Sequence, residues 1–128
     1  MMKKSVFILQ ILVRLSGAIQ IILGVLFWTG NALSLLPVHI FFGSVLVLSL
    51  WTLAILAARA GVQPGLVALA LVWGLVLPIL GLTQGRLLVG PEHWVIQVVH
   101  LLLGIGAIGQ AESLARRIKQ ARPLIFQK

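Results

Sequence analysis

The chain has 128 residues, of which 60% are hydrophobic and 9% are charged, with a formal net charge of +8. Soluble domains carry about 25% charged residues and disordered segments are polar, so this composition excludes both classes. The chain contains no cysteine, which excludes a disulfide framework, a thiolate metal site and a cysteine nucleophile. We therefore expect an integral membrane protein built from helices.

Long uncharged stretches divide the chain into four predicted spans. No charged residue lies between Arg14 and Arg59, a stretch long enough for two helices of about 20 apolar residues each. One further span fits between Arg59 and Arg86, and another fits between Glu92 and Glu112. We expect one all-α transmembrane domain, a four-helix bundle with spans at about 6–28, 37–58, 66–83 and 92–112 and a basic tail at 113–128.

The basic residues are divided unequally between the two sides of the predicted bundle. Nine of the ten fall at the N-terminus, at the turn after Arg59 and at the C-terminus, whereas Arg86 falls on the opposite side. The positive-inside rule then places both termini in the cytoplasm, and we expect a prokaryotic inner or plasma membrane. Arg14 lies early enough in the first span to snorkel towards the cytoplasmic headgroups. Because the basic residues are distributed by side of the membrane, as the positive-inside rule describes, their excess does not indicate nucleic-acid binding.

A short motif recurs in the second and fourth spans. His39 is followed four residues later by Gly43, and His100 is followed at the same spacing by Gly104. Gln20 in the first span also precedes a glycine by four residues. This pattern suggests a duplicated two-helix unit.

Two histidines in parallel spans suggest a haem site. His39 and His100 lie at compatible depths, and a glycine one turn further on leaves a recess that a porphyrin face requires. Two neutral imidazoles facing each other across a bundle can hold haem iron axially. We therefore expect His39 and His100 to ligate one haem b, with His93 as the competing partner of His39. Hydrogen-bonded core histidines, or a different ligand, stay open as alternatives.

Other polar residues have predicted supporting roles. Gln20 and Gln97 are the nearest candidates to hydrogen-bond the second nitrogen of each ligating imidazole. Arg86 and His93 lie on the outer side, where an arginine suits the haem propionates. The glycines have a simpler interpretation as well, because small residues let helix backbones approach closely in a bilayer.

His39 and Gly43 form a motif at the start of a span that ends at Arg59, and a second histidine lies in the fourth span. This combination resembles small membrane-bound b-type cytochromes. The resemblance implies a four-helix bundle, bis-histidine haem and electron exchange with quinones or partner proteins. The chain departs from the two-haem members, because three histidines cannot supply four axial ligands. The resemblance therefore allows one haem in this chain.

Two other classes of function stay open. An accessory subunit of a larger membrane complex, or a homo-oligomer, would use apolar surface and the tryptophans inside the spans, Trp51 and Trp73. A small proton-driven transporter needs a carboxylate within the membrane. Glu92 and Glu112 both lie at predicted span ends, and the chain has no aspartate. No acid pair, phosphate-binding loop or Ser-His-Asp set indicates a hydrolase or a transferase.

Overall fold

The chain folds into a bundle of four α-helices. The computed structural model describes residues 2–126, with side chains described up to residue 121. The helices are α1 (Met2–Trp28), α2 (Leu36–Arg59), α3 (Pro64–Thr83) and α4 (His93–Phe126), with single 3₁₀ turns at Leu33–Leu35 and Gln84–Arg86. This described part contains no strand. Each α-helix is long and apolar enough to cross a membrane, which confirms the predicted all-α class and the four spans.

The helix boundaries follow the prolines and glycines of the connecting segments. Pro37 lies in the first turn of α2, where its missing N–H costs no helical hydrogen bond. In the α2–α3 turn, Gly61 adopts a φ of +79°, a left-handed conformation that glycine reaches without a steric penalty. α4 begins at His93 and not at Glu92, because residues 91–92 form a turn closed by a hydrogen bond from the His93 N–H to the carbonyl of Gly90.

The helices run alternately up and down. α2 and α4 each contact all the other helices, so they form the diagonal of the bundle, with α1 and α3 on its flanks. We call the end that holds the start of α1, the α2–α3 turn and the end of α4 the termini end. The opposite end, with the α1–α2 and α3–α4 loops, is the hairpin end. α4 continues without a break into the predicted basic tail, whose side chains from residue 122 onwards lie outside the described residues.

The closely packed core lies in the termini half of the bundle. Its buried side chains include Val13 on α1, Leu50 and Leu53 on α2, and Ala111 and Ile118 on α4. No residue of segments 24–45 and 78–106 is buried. The four helices therefore pack closely at the termini end and leave space between them towards the hairpin end.

Candidate functional site

A large cavity occupies the hairpin half of the bundle. Its volume is about 830 Å³, and residues from all four helices line it. Binding sites for small molecules and cofactors commonly measure about 300–1,000 Å³ and are mostly apolar with a few polar groups. The polar side chains on this wall come from α1, α2, α4 and the 3₁₀ turn after α3, and they include Gln20, His39, Gln84, Gln97 and His100. The cavity therefore has the size and the lining of a site for a large apolar ligand.

Two histidines from the diagonal helices meet in this cavity. The rings of His39 on α2 and His100 on α4 lie 6.3 Å apart between centroids, with an angle of 56° between their planes. Both residues are half-buried, and the Nδ1 atom of each ring is buried without a hydrogen-bond partner. Phe27 at the end of α1 packs its edge against His39, with ring centroids 5.3 Å apart. The structure thus brings together the two histidines that the sequence analysis pairs.

The two predicted recess glycines differ in their surroundings. A Cβ atom at Gly43 would lie 2.7 Å from Nε2 of Gln20, so the space beside this glycine is taken by the Gln20 amide. A Cβ at Gly104 would meet no atom within 4 Å, and Gly104 lines the cavity. Oε1 of Gln20 is buried and has no hydrogen-bond partner. Gly104 therefore borders open space as expected, whereas Gly43 makes room for the Gln20 amide.

A third glycine contacts the His100 ring, a role that the sequence analysis does not assign to it. A Cβ at Gly81 on α3 would lie 3.0 Å from Cε1 and 3.5 Å from Nε2 of His100. This glycine lets the imidazole lie directly against the α3 backbone. The sequence signal was present, since Gly81 is seven residues after Gly74 on one face of α3. Only the packing of α3 against α4 shows which residue uses the space.

The remaining predicted site residues divide into two groups. Gln97 and His93 line the cavity together with His100, one or two helical turns apart on α4. Nδ1 of His93 lies 3.1 Å from the carbonyl oxygen of Leu87, a hydrogen bond that holds this ring near the mouth of the site. Arg86 is exposed in the 3₁₀ turn after α3 and is not part of the cavity wall. The structure thus brings Gln97 and His93 to the site and leaves Arg86 outside it.

The donor set fits haem better than an isolated metal ion. Within residues 2–126 no group of three or more His, Cys, Asp or Glu side chains could hold a metal ion. Structural zinc sites require about four protein ligands, whereas haem iron requires two axial ligands, since the porphyrin supplies the rest. Two metal–nitrogen bonds of about 2 Å, extended by about 1.1 Å to each ring centre, separate the imidazole centroids by about 6.2 Å. This spacing applies to rings whose ligating nitrogens face one another, and the observed centroid separation of 6.3 Å is compatible with it.

Two tryptophans inside the spans join neighbouring helices. The indole Nε1 of Trp51 donates a hydrogen bond of 3.1 Å to the carbonyl of Leu71 on α3, and that of Trp73 donates one of 2.8 Å to Leu103 on α4. Each indole lies against a glycine of the helix it contacts. Both indole N–H groups are therefore satisfied within the bundle, and both rings connect one helix to the next.

A polar network at the termini end was not predicted from the sequence. The carboxylate of Glu112 accepts hydrogen bonds from Nε and Nη2 of Arg14, at 2.6 Å and 3.1 Å, and from Nε2 of Gln10 at 2.8 Å. Nζ of Lys119 donates to Oε1 of Gln10 at 2.5 Å. Arg14 thus has a partner on α4 that the sequence analysis did not assign to it. The available signal was Gln10, one helical turn before Arg14 on the same face of α1.

No protein-family model, no curated protein and no solved structure matches this chain. The class that the fold and the site define is a four-helix integral membrane protein with a large, partly open cavity and a histidine pair in its wall.

Proposed function

We propose that this chain is a membrane-bound protein similar to b-type cytochromes, which holds one haem b between His39 and His100. Electrons would pass between this haem and a quinone or a partner protein. The observation that carries the proposal is the pair of imidazoles, 6.3 Å apart between centroids, on the wall of a cavity of about 830 Å³.

Each residue at the cavity has a part in the proposed site. His39 and His100 would donate a nitrogen lone pair to the iron as neutral imidazoles. Bound haem supplies reversible one-electron chemistry, and the apolar walls exclude water around it. Gln20, with an unpartnered amide oxygen, and Gln97, one turn before His100, line the same cavity, and we assign them as hydrogen-bond partners of the imidazole N–H groups once haem is bound. His93, which also lines the cavity, would meet the propionates.

We also propose an orientation with both termini in the cytoplasm. The described basic residues at the termini end outnumber the single arginine of the hairpin end, Arg86; they are Lys3, Lys4, Arg14, Arg59, Arg116, Arg117 and Lys119. The positive-inside rule then puts the termini end inside and the haem near the outer side of a prokaryotic inner or plasma membrane. The matching positions of His39 and His100 in the second and fourth helices support an origin by duplication of a two-helix unit.

An absorption spectrum of the purified protein in detergent tests the proposed function directly. The wild-type protein, expressed with sufficient haem, should show the Soret and α bands of low-spin bis-histidine haem at one haem per chain. His39→Ala and His100→Ala should each abolish this spectrum, because low-spin haem requires both axial ligands.

His93→Ala serves as the matched control, because it removes a histidine from the same cavity without touching the proposed pair. It should keep the low-spin bands and at most shift the midpoint potential. Loss of haem in His93→Ala, with retention in His100→Ala, would reassign the pair to His39 and His93. A wild-type protein that binds no haem would refute the cytochrome proposal and favour an accessory subunit.

A further inference from the structure

The network between α1 and α4 leaves several hydrogen-bond donors unused. A guanidinium group has five N–H donors and an ammonium group has three. Arg14 uses two of its donors on Glu112, and Lys119 uses one on Gln10. The other N–H groups of both residues have no acceptor among the side chains described in the structure. The two cations and one carboxylate also leave the network with a net charge of +1.

The guanidinium of Arg14 lies on an apolar, exposed surface of α1. The side chain of Arg14 is 62% exposed, whereas Gln10 beside it is buried. Ile11, one turn before Arg14, and the adjacent Leu15 are 38% and 60% exposed, so this surface faces lipid acyl chains in a membrane. Unsatisfied N–H groups are costly in hydrocarbon, so they need an acceptor that a lipid can supply.

The position of Arg14 along α1 indicates which part of a lipid it reaches. Trp28 ends α1 at the hairpin end, where tryptophan side chains prefer the membrane interface. Arg14 is 14 residues from Trp28, or about 21 Å along the helix axis. The hydrocarbon layer is about 30 Å thick, so the long Arg14 side chain reaches towards the opposite boundary, where lipid phosphates begin.

We propose that Arg14 and Lys119 form a binding site for the phosphate of an anionic glycerophospholipid in the leaflet at the termini end. The planar guanidinium would bind phosphate oxygens through its free N–H groups, and Lys119 would add a second positive charge. The acyl chains would lie along the exposed surface of α1 at Ile11 and Leu15. Glu112 accepts two hydrogen bonds from the Arg14 guanidinium and lowers the net charge of the site. This site is independent of the proposed haem.

Native mass spectrometry of the full chain in neutral detergent tests the lipid site. Phosphatidylglycerol and phosphatidylcholine with identical acyl chains are titrated in parallel, so that their headgroups alone differ. The wild-type protein should retain phosphatidylglycerol in preference to phosphatidylcholine. Glycerol phosphate, at concentrations where phosphatidylglycerol saturates the site, should not bind, because it lacks the acyl chains.

Four variants separate the contributions to this site. Arg14→Gln should weaken phosphatidylglycerol binding roughly tenfold, because hydrogen bonds to a charged group are lost. The double variant Arg14→Gln with Glu112→Gln keeps the wild-type net charge of the site and leaves no unpaired carboxylate, so it covers a failure of Arg14→Gln to fold. It should still bind phosphatidylglycerol several-fold more weakly than the wild-type protein, because the guanidinium donors are lost. Glu112→Gln alone should tighten binding by roughly fivefold, because it raises the net charge by one. Arg59→Gln, an equal loss of charge at the same end, should change binding by less than about twofold.

Four results would overturn the proposal. The first is equal retention of the two lipids by the wild-type protein, and the second is an undiminished preference for phosphatidylglycerol in the double variant. The third is weaker binding in Glu112→Gln, which would contradict the expected gain from removing a negative charge beside the phosphate. The fourth is saturable binding of glycerol phosphate alone, which would exclude a lipid as the required source of the phosphate.

Discussion

The contact between Trp73 and Gly106 allows a quantitative test of the packing of α3 against α4. A Cβ atom at Gly106 would lie 2.7 Å from Cζ2 and 3.2 Å from Cε2 of Trp73, much closer than real Cβ contacts. The indole cannot move away freely, because its Nε1 is hydrogen-bonded to the carbonyl of Leu103 on the same helix as Gly106. Gly106→Ala must therefore either displace the indole and weaken this bond or push the two helices apart.

The expected free-energy change follows from two opposing effects. Overpacking in a closely packed contact costs about 1–3 kcal/mol. Replacing glycine by alanine inside a helix contributes about 1 kcal/mol of stability. Gly109→Ala, three residues later on α4, is the matched control, because its Cβ would meet no atom within 4 Å. Gly109→Ala should therefore stabilise the protein, and Gly106→Ala should be less stable than Gly109→Ala by about 1–3 kcal/mol.

Reversible unfolding of both variants in mixed detergent micelles, followed by tryptophan fluorescence, measures this difference. Because both substitutions change glycine to alanine in the same helix, the helix-propensity effect cancels between them. Trp73→Phe should reduce the harm done by Gly106→Ala, since the smaller ring no longer fills the space above the glycine. Equal unfolding free energies of Gly106→Ala and Gly109→Ala would refute the proposed helix contact.

Two other predictions concern membrane orientation and the cavity. A cysteine introduced at Gly90, in the α3–α4 loop, should react with an impermeant thiol reagent added outside intact cells; labelling only after lysis would contradict the proposed orientation. Gly104→Leu should fill space in the cavity and lower the haem content before it affects membrane insertion, whereas Gly109→Leu on the exposed side of α4 should leave the haem content unchanged. Full haem content in Gly104→Leu would show that the glycine serves another purpose.

Sequence reasoning identifies residues by type and spacing. In this protein it succeeded where those two properties decide the arrangement and failed where the packing of a neighbouring helix or loop decides it. The depth comparison and the shared motif correctly bring His39 and His100 to one cavity. Arg86 falls outside that cavity, because helix periodicity does not fix the direction of a side chain in a loop. Gly43 was assigned to a recess beside His39, but α1 brings the Gln20 amide into that space. Which neighbouring side chain fills the space beside a glycine depends on helix rotation and crossing, and neither can be read from one helix.

The sequence by itself determines that the chain is a bundle of four membrane-spanning helices. Hydrocarbon cannot satisfy backbone N–H and C=O groups, so four long apolar segments must form helices whatever their neighbours are. Tertiary structure alone decides where those helices are close and where they separate. Buried alanines join the helices towards the termini end and Trp73 joins α3 to α4 near the middle of the bundle, while the hairpin half leaves the cavity open. It also decides that Arg14 pairs with Glu112, because residues 98 positions apart meet only when α1 packs against α4.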